Sequence, residues 1–173
     1  MSRPLSTSDW AVLAYLGEAP AHGFKLASIF AKGGELGHIW TLQKPQVYRA
    51  LEHLESRALI TAVKEEPGDN GPPRTLYALT EQGQAQLESW FASPVLRIRD
   101  GRSDLLLKLI FMARRDIDAQ PLLKAQEQHF LQVLATYQAK LNKASSAERT
   151  VLRWRIEIAQ AALAFIRQEI IFK

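Results

Sequence analysis

The spacing of the hydrophobic residues changes within the first 93 residues, and this change restricts the fold more than any other feature. Before residue 59 the apolar side chains recur at helical intervals of three and four residues. Residues 59–65 and 74–79 instead read as β-strands. Residues 67–73 between them contain three prolines and two glycines, a composition that no regular element accepts. The sequence therefore predicts two strands joined by a long hairpin tip, with helices on both sides.

The helical pattern predicts three helices before the hairpin, at about residues 8–16, 22–31 and 45–57. Four more are predicted after it, at about residues 80–93, 103–114, 121–143 and 147–172. Helix, helix, helix, strand, hairpin, strand is the order of a winged helix. We therefore expect a mainly α fold with a small β-hairpin. An N-terminal winged helix-turn-helix domain would occupy residues 1–93, followed by an α-helical dimerisation region in residues 94–173.

Composition and charge narrow the class of protein. Hydrophobic residues make up 47% of the 173 residues and charged residues 23%, the balance of a globular protein. The absence of cysteine excludes disulfides and thiolate metal sites and suits a cytoplasmic location. Charged residues interrupt the most apolar stretch, so no membrane span is expected. Residues 1–92 carry 8 Lys/Arg against 10 Asp/Glu, whereas residues 93–173 carry 14 against 8. The overall charge of +4 is therefore weak support for nucleic-acid binding, and local placement must decide.

The sequence contains no arrangement of residues typical of an active site or a metal site. Its four histidines are scattered, without the i, i+4 spacing of a helical metal site. Gly33 and Gly34 precede neither the lysine nor the helix that a phosphate-binding loop needs. No serine lies in a nucleophile-elbow context. We therefore expect no catalytic activity, no cofactor and no metal ion.

Four segments in the right order resemble the PadR family of transcriptional regulators. His22, Gly23 and Phe24 are similar to that family's His-Gly-aromatic opening of the second helix. Residues 46–55 resemble its recognition helix, residues 74–83 its second wing strand, and residues 99–109 the arginine- and leucine-rich start of its C-terminal region. The resemblance covers nearly the whole chain. It implies a dimeric repressor that binds an inverted repeat near a promoter and releases it when a small molecule binds.

The polar face of the helix at residues 45–57 is the candidate surface for double-stranded DNA, because a recognition helix presents polar side chains to the major groove. Gln46 and Arg49 are candidates for contacts with base edges. Lys44 and Tyr48 are placed to hold phosphates, which positions a helix without reading sequence. His53 falls on the same polar face. The alternative is a solvated helix face without a nucleic-acid partner.

The predicted wing leaves two interpretations open. Lys64 and Arg74 either approach DNA phosphates or balance the acidic residues of the hairpin, Glu65 and Glu66. The role of Arg3, in a short arm before the first helix, is equally undecided. An acidic wing also supports a different class of protein, a winged-helix adaptor that binds other proteins and no DNA.

The last two predicted helices carry broad apolar stripes. Phe130 and Tyr137 belong to the stripe of the first, and the stripe of the second contains Leu152, Ile156, Leu163 and Ile166. Further apolar residues widen the second stripe beyond one face, more than a single neighbouring helix needs. We therefore expect these residues to form a homodimer, although a stripe of this kind also fits an intramolecular core. A two-fold dimer would place two recognition helices about 34 Å apart on one face of DNA.

Three tryptophans, Trp40, Trp90 and Trp154, are candidates for an effector site, because aromatic-lined clefts suit planar phenolic or drug-like ligands. The alternative for each of them is packing in the core or in an interface.

Overall fold

The computed structural model describes residues 3–66 and 74–171. The predicted hairpin tip at residues 67–73 and the last residue of the predicted final helix, Phe172, lie outside the described residues. The helices are α1 (Thr7–Leu16), α2 (Gly23–Ile29), α3 (Lys44–Ser56), α4 (Glu81–Ala92), α5 (Asp104–Arg114), α6 (Gln120–Leu141) and α7 (Ser146–Ile171). The strands are β1 (Ala21–His22), β2 (Ile60–Glu66) and β3 (Arg74–Leu79), and a short 3-10 helix spans Ile98–Arg102.

The first half of the described chain is a winged helix-turn-helix, as the order of elements predicts. Helix α1 is capped by Ser6, whose side chain accepts a hydrogen bond from the Asp9 backbone while the Asp9 carboxylate accepts one from the Ser6 backbone. From Ala11 to Leu16 its residues are all buried. Helix α3 packs on α1 and α2 through the apolar face that periodicity predicts: Val47, Ala50, Leu51 and Leu54.

The sheet contains three antiparallel strands in the order β1-β3-β2. Strand β2 and strand β3 form the predicted hairpin, with a register irregularity between Ala62 and Lys64. Strand β1 was not predicted, because two residues are too few to show an alternating pattern. It pairs Ala21 with Tyr77 and His22 with Leu76, and so attaches the wing to the start of α2.

The second half of the described chain is helical. Helices α6 and α7 form an antiparallel pair, since the side chain of Gln120 at the start of α6 donates to the Ile170 carbonyl at the end of α7, 3.1 Å away. One hydrophobic core runs from α1 through α5 into α6 and α7. The predicted domain boundary at residue 93 falls directly after α4, and the independence of the two regions stays a prediction. In residues 3–66 and 74–171, no helix combines the length and the apolar character needed to cross a membrane.

Candidate nucleic-acid interface

The N-terminal half of α3 presents its polar side chains to solvent. Lys44, Gln46, Tyr48 and Arg49 are all exposed. The Gln43 backbone N–H donates to Oε1 of Gln46 at 2.7 Å, and Nε of Arg49 donates to the Pro45 carbonyl at 3.3 Å. Both side chains are therefore held against their own helix turn in the free protein. Each keeps further N–H donors available for a ligand, as base-edge or phosphate contacts require.

Tyr48 lies directly against the start of α2. A Cβ atom on Gly23 would come within 2.9 Å of Cε1 of Tyr48 and 3.1 Å of a Leu51 methyl carbon. A larger residue at position 23 would require the Tyr48 ring to move, so glycine favours the close approach of α2 to α3. The contact gives a physical reason for the His-Gly pair at the opening of α2, because Gly23 leaves room for the tyrosine of the recognition helix.

His53 does not lie on the open face that helical periodicity assigns to it. Its Nδ1 is 3.1 Å from Oδ2 of Asp9, and its side chain is only 17% exposed. Asp9 is buried, and the same oxygen accepts hydrogen bonds from the Ser6 backbone N–H and hydroxyl, both at 2.8 Å. The Asp9 carboxylate thus connects the start of α1 to the recognition helix. A DNA contact by His53 stays a prediction, and the free protein directs its ring toward α1.

The N-terminal arm runs alongside α3. Nη2 of Arg3 lies 3.4 Å from Oδ2 of Asp9, and Nη1 of Arg57 donates to the Arg3 carbonyl at 3.2 Å. The Arg3 side chain remains 67% exposed. Arg3, Gln46 and Arg49 line one shallow depression between the arm and α3. The fold therefore groups three donor side chains at the N-terminal end of the recognition helix.

The wing is held to the start of α2 by His22. Its Nε2 lies 3.1 Å from Oε2 of Glu66 on β2, and its Nδ1 lies 3.1 Å from the Thr75 carbonyl oxygen on β3. A neutral imidazole has only one N–H, so both contacts are hydrogen bonds only when the ring is protonated. Sequence reasoning missed this arrangement because the partners lie 44 and 53 residues away.

The two predicted wing contacts have different surroundings. Nζ of Lys64 lies 3.1 Å from Oε1 of Glu66, and this hydrogen bond and charge lower the pKa of the Glu66 carboxyl group. Lys64 therefore balances an acidic residue in the free protein, as one of the two interpretations expects. The Arg74 guanidinium lies 4.8 Å from the ring centroid of Phe24. Phe24 is exposed, so Arg74 is held at the surface beside the start of α2.

The residues predicted for dimer contacts are mostly buried within a single protomer. Phe130 and Ile166 are fully buried, and Leu152, Ile156 and Leu163 are at most 8% exposed. Tyr137 is partly buried, with the Arg155 guanidinium 5.9 Å from its ring centroid. A neighbouring row on α7 is open instead: Val151 is 48%, Trp154 68% and Ile158 37% exposed. None of these three residues is among those predicted for dimer contacts, and Trp154 was predicted for the effector site.

The three tryptophans do not form one site. Trp90 is buried and stacks on Trp10, with ring centroids 5.0 Å apart. Trp40 is partly buried, and its Nε1 donates to the Ser8 hydroxyl at 3.4 Å. Trp154 alone among them lines a cleft at the surface. Within the described ranges, no group of three or more His, Asp or Glu side chains is arranged to hold a metal ion.

Comparison with known proteins gives a match over the winged helix. Residues 12–89 match the family described as Transcriptional regulator PadR-like. A curated Mycobacterium tuberculosis protein named "Probable transcriptional regulator Rv1176c" is 31% identical over 96 residues, which are 56% of this chain and 49% of that protein. The matched segment therefore spans about half the length of that relative.

One solved structure supports the same fold. Bacillus subtilis PadR in complex with operator DNA matches with a TM-score of 0.51 and 20% identity, covering 96% of this chain and 99% of that one. Bacillus subtilis PadR in complex with p-coumaric acid matches with a TM-score of 0.45 and 20% identity, covering 96% and 98%. At this identity the likeness concerns the fold alone. The sequence match begins in α1 and ends in α4, which is the extent of the winged helix. Residues 12–89 are a domain of the transcriptional regulator PadR-like family.

Proposed function

We propose that this chain is a homodimeric transcriptional repressor that binds an inverted-repeat operator through α3 and releases it when a small molecule binds. The observation that carries the proposal is the N-terminal end of α3, where exposed Arg49 and Gln46 adjoin Arg3 of the arm. Recognition helices contact base edges with their N-terminal residues. The PadR-like sequence match and the fold shared with a protein solved on operator DNA support the same function.

The charges along α3 indicate which end approaches DNA. Lys44 and Arg49 lie in its first two turns, whereas Glu52 and Glu55 occupy the exposed positions further on. Phosphates attract the first group and repel the second. We therefore propose that α3 enters the major groove with its N-terminal turns. Arg49 and Gln46 would read bases, and Lys44, Tyr48 and Arg3 would hold phosphates.

The proposed dimer uses the open row of α7 formed by Val151, Trp154 and Ile158. These residues lie at i, i+3 and i+7, so they share one helical face. The face is distinct from the one that α6 covers, because Leu152 and Ile156 are buried. Exposed apolar rows of this kind are stabilised by burial against a partner. A two-fold dimer would supply the second recognition helix that an inverted repeat requires.

The DNA function is tested by selecting bound fragments from genomic DNA and measuring affinity for the recovered repeat at several salt concentrations. Affinity should fall steeply with salt, because bound phosphates release counterions. Arg49→Ala should weaken specific binding by about 1–3 kcal/mol, and the control Arg149→Ala, exposed on α7, should not. A protein that enriches no repeat and shows no salt-dependent DNA binding would instead be the adaptor that the acidic residues Glu65 and Glu66 favour.

The dimer is tested by sedimentation. Val151→Asp would bury a charge in the proposed interface and should give a monomer with weakened operator binding. Gln160→Asp is the matched control, since it is exposed on the opposite side of the same helix. A wild-type chain that sediments as a monomer while binding a palindromic site tightly would contradict the proposed mechanism.

A further inference from the structure

We propose that the cleft between the 3-10 helix and the α6–α7 pair binds a planar aromatic compound carrying at least two negative charges, the chemistry of a nucleotide or an aromatic polycarboxylate. The cleft has a volume of about 610 Å³. Its lining consists of Arg97, Ile98, Arg99, Tyr137, Trp154, Arg155 and Ile158. Binding of the ligand is inferred from these residues alone, whereas an effect of the ligand on DNA binding rests on the proposed function.

Three arginines line this cleft, and its lining contains no acidic side chain. Among the residues that the structure describes, Arg97 and Arg155 form no ion pair, and Arg99 has only a contact of 3.5 Å with the neighbouring Asp100. Guanidinium groups placed together repel one another, and a ligand with several negative charges relieves that repulsion. Residues 93–173 carry more basic than acidic side chains, and three of the basic side chains line this cleft. The charge of the site therefore indicates a polyanion.

The aromatic wall indicates a flat ligand. The Trp154 side chain is 68% exposed beside the cleft, although exposing a large aromatic ring to water is unfavourable. Ring systems stack on such a surface, and base–aromatic stacking tolerates many kinds of ring. A cavity of roughly 150 Å³ is enough for benzene. A volume of about 610 Å³ therefore has room for a ring system and its charged groups.

The backbone that carries two of the arginines is fixed in place. The Val95 N–H donates to Oε1 of Gln126 at 2.7 Å, and Nε2 of Gln126 donates back to the Val95 carbonyl at 3.0 Å. Gln126 is fully buried on α6. One residue further, the Leu96 carbonyl lies 2.9 Å from Nε2 of His129. The segment between α4 and α5 is thus clamped to α6 immediately before Arg97, which reduces the conformational entropy lost when a ligand binds.

The position of the cleft links ligand binding to assembly. One wall belongs to the segment that follows the winged helix, and the other wall belongs to α7. Trp154 and Ile158 are shared between the cleft and the open row of α7 proposed to meet a second copy. A ligand on these side chains changes the surface available to the partner. Binding of the ligand and dimerisation are therefore thermodynamically coupled, whichever sign the coupling has.

Isothermal titration of the full-length protein without DNA tests the binding step. The probes are ATP, AMP and terephthalate, with adenosine, 4-hydroxycinnamate and inorganic tripolyphosphate as comparisons. At least one of the first three should bind ten or more times as tightly as adenosine and 4-hydroxycinnamate. Comparing ATP and AMP with terephthalate shows whether the ligand is a nucleotide or an aromatic polycarboxylate. No binding by any of the three, or equal binding by 4-hydroxycinnamate, would overturn the inference of a multiply charged ligand. Equal binding by tripolyphosphate would overturn the aromatic part.

Variants connect the binding to this cleft. Arg97→Ala and Arg155→Ala should each weaken binding about fivefold or more, since each removes a charge-assisted contact. Arg153→Ala is the matched control, because Arg153 is exposed on the same helix and does not line the cleft. Trp154→Leu should weaken nucleotide binding, because it removes the ring on which the ligand stacks. Unaltered binding in Arg97→Ala and Arg155→Ala would place the ligand elsewhere. Operator affinity, measured separately, tests the proposed function without affecting this result.

Discussion

Lys108 is the most buried cationic side chain in residues 3–66 and 74–171, and it makes the stability of the protein depend on pH. The residue is 2% exposed, its Nζ lies 5.1 Å from the ring centroid of Trp90, and it donates a hydrogen bond to the Ser93 carbonyl. Burial lowers the pKa of the Lys108 amine from 10.5 to about 8, against the opposing attraction of Asp104. A proton therefore binds this amine more weakly in the folded protein than in the unfolded chain.

The sign and size of the effect follow from this difference. Between pH 8 and 10.5 the unfolded chain holds a proton on Lys108 that the folded protein has released, so the free energy of unfolding rises with pH. Below pH 8 both states are charged and the cost of burying the charge is fully present. From pH 7 to pH 9.5 the gain amounts to about 2 kcal/mol. Measurements should stop below pH 10, because the raised pKa of Tyr77 produces the opposite trend there.

Urea unfolding followed by circular dichroism, at one protein concentration, measures this dependence. The variant Lys108→Met keeps an unbranched side chain of similar length without an ionisable group. The wild type should gain stability from pH 7 to 9.5 relative to Lys108→Met, by about 2 kcal/mol. Parallel curves for the two proteins would refute the reasoning, because they would show that Lys108 binds protons equally in both states.

Three further substitutions test the packing of the fold by urea unfolding. Asp9→Ala should lower the free energy of unfolding by about 2–4 kcal/mol, because the cap of α1 and the contact with His53 are lost together; a loss no larger than that of the exposed control Glu52→Ala would argue against the connection. Gly83→Ala should cost about 1–3 kcal/mol, since its Cβ would lie 2.0 Å from the Leu59 carbonyl oxygen. Leu163→Ala should cost about 2–5 kcal/mol if this side chain is core within one protomer, and the loss should not depend on protein concentration.

The winged helix could be predicted from the sequence because its elements differ in period. Helix α3 and the hairpin strands each carry enough residues to show a repeat, and their boundaries lie within one residue of the expected ones. Strand β1 could not be predicted, because its two residues are defined only by pairing with β3. The sequence identifies Gly23 as part of a motif, but not why glycine is needed there. The reason, the nearby ring of Tyr48, is seen only when α2 and α3 are placed together.

Periodicity did not predict the surroundings of His53, one of the candidates for the DNA face. Periodicity gives the direction in which a side chain leaves its helix, and by that criterion His53 lies on the same face as Arg49. It gives no information about which faces a neighbouring element covers. The Asp9 carboxylate approaches His53 from α1, 44 residues earlier, and draws the ring away from solvent. A buried acid at the third position of a helix is therefore a better signal of such a contact than the histidine, since a buried carboxylate requires donors.

The same limit explains the assignment of the α7 stripe. The width of an apolar stripe indicates how many faces of a helix are buried, but it does not show which neighbour buries each face. Leu152, Ile156 and Leu163 are buried within the protomer. Val151 and Trp154 lie on the adjacent face of the helix and are exposed to solvent. A helix with two adjacent apolar faces requires two apolar neighbours, and the described chain supplies one. In the proposed dimer the second neighbour would be another protomer, and in the proposed ligand site the arginines beside Trp154 would favour a negatively charged ligand at this end of the row.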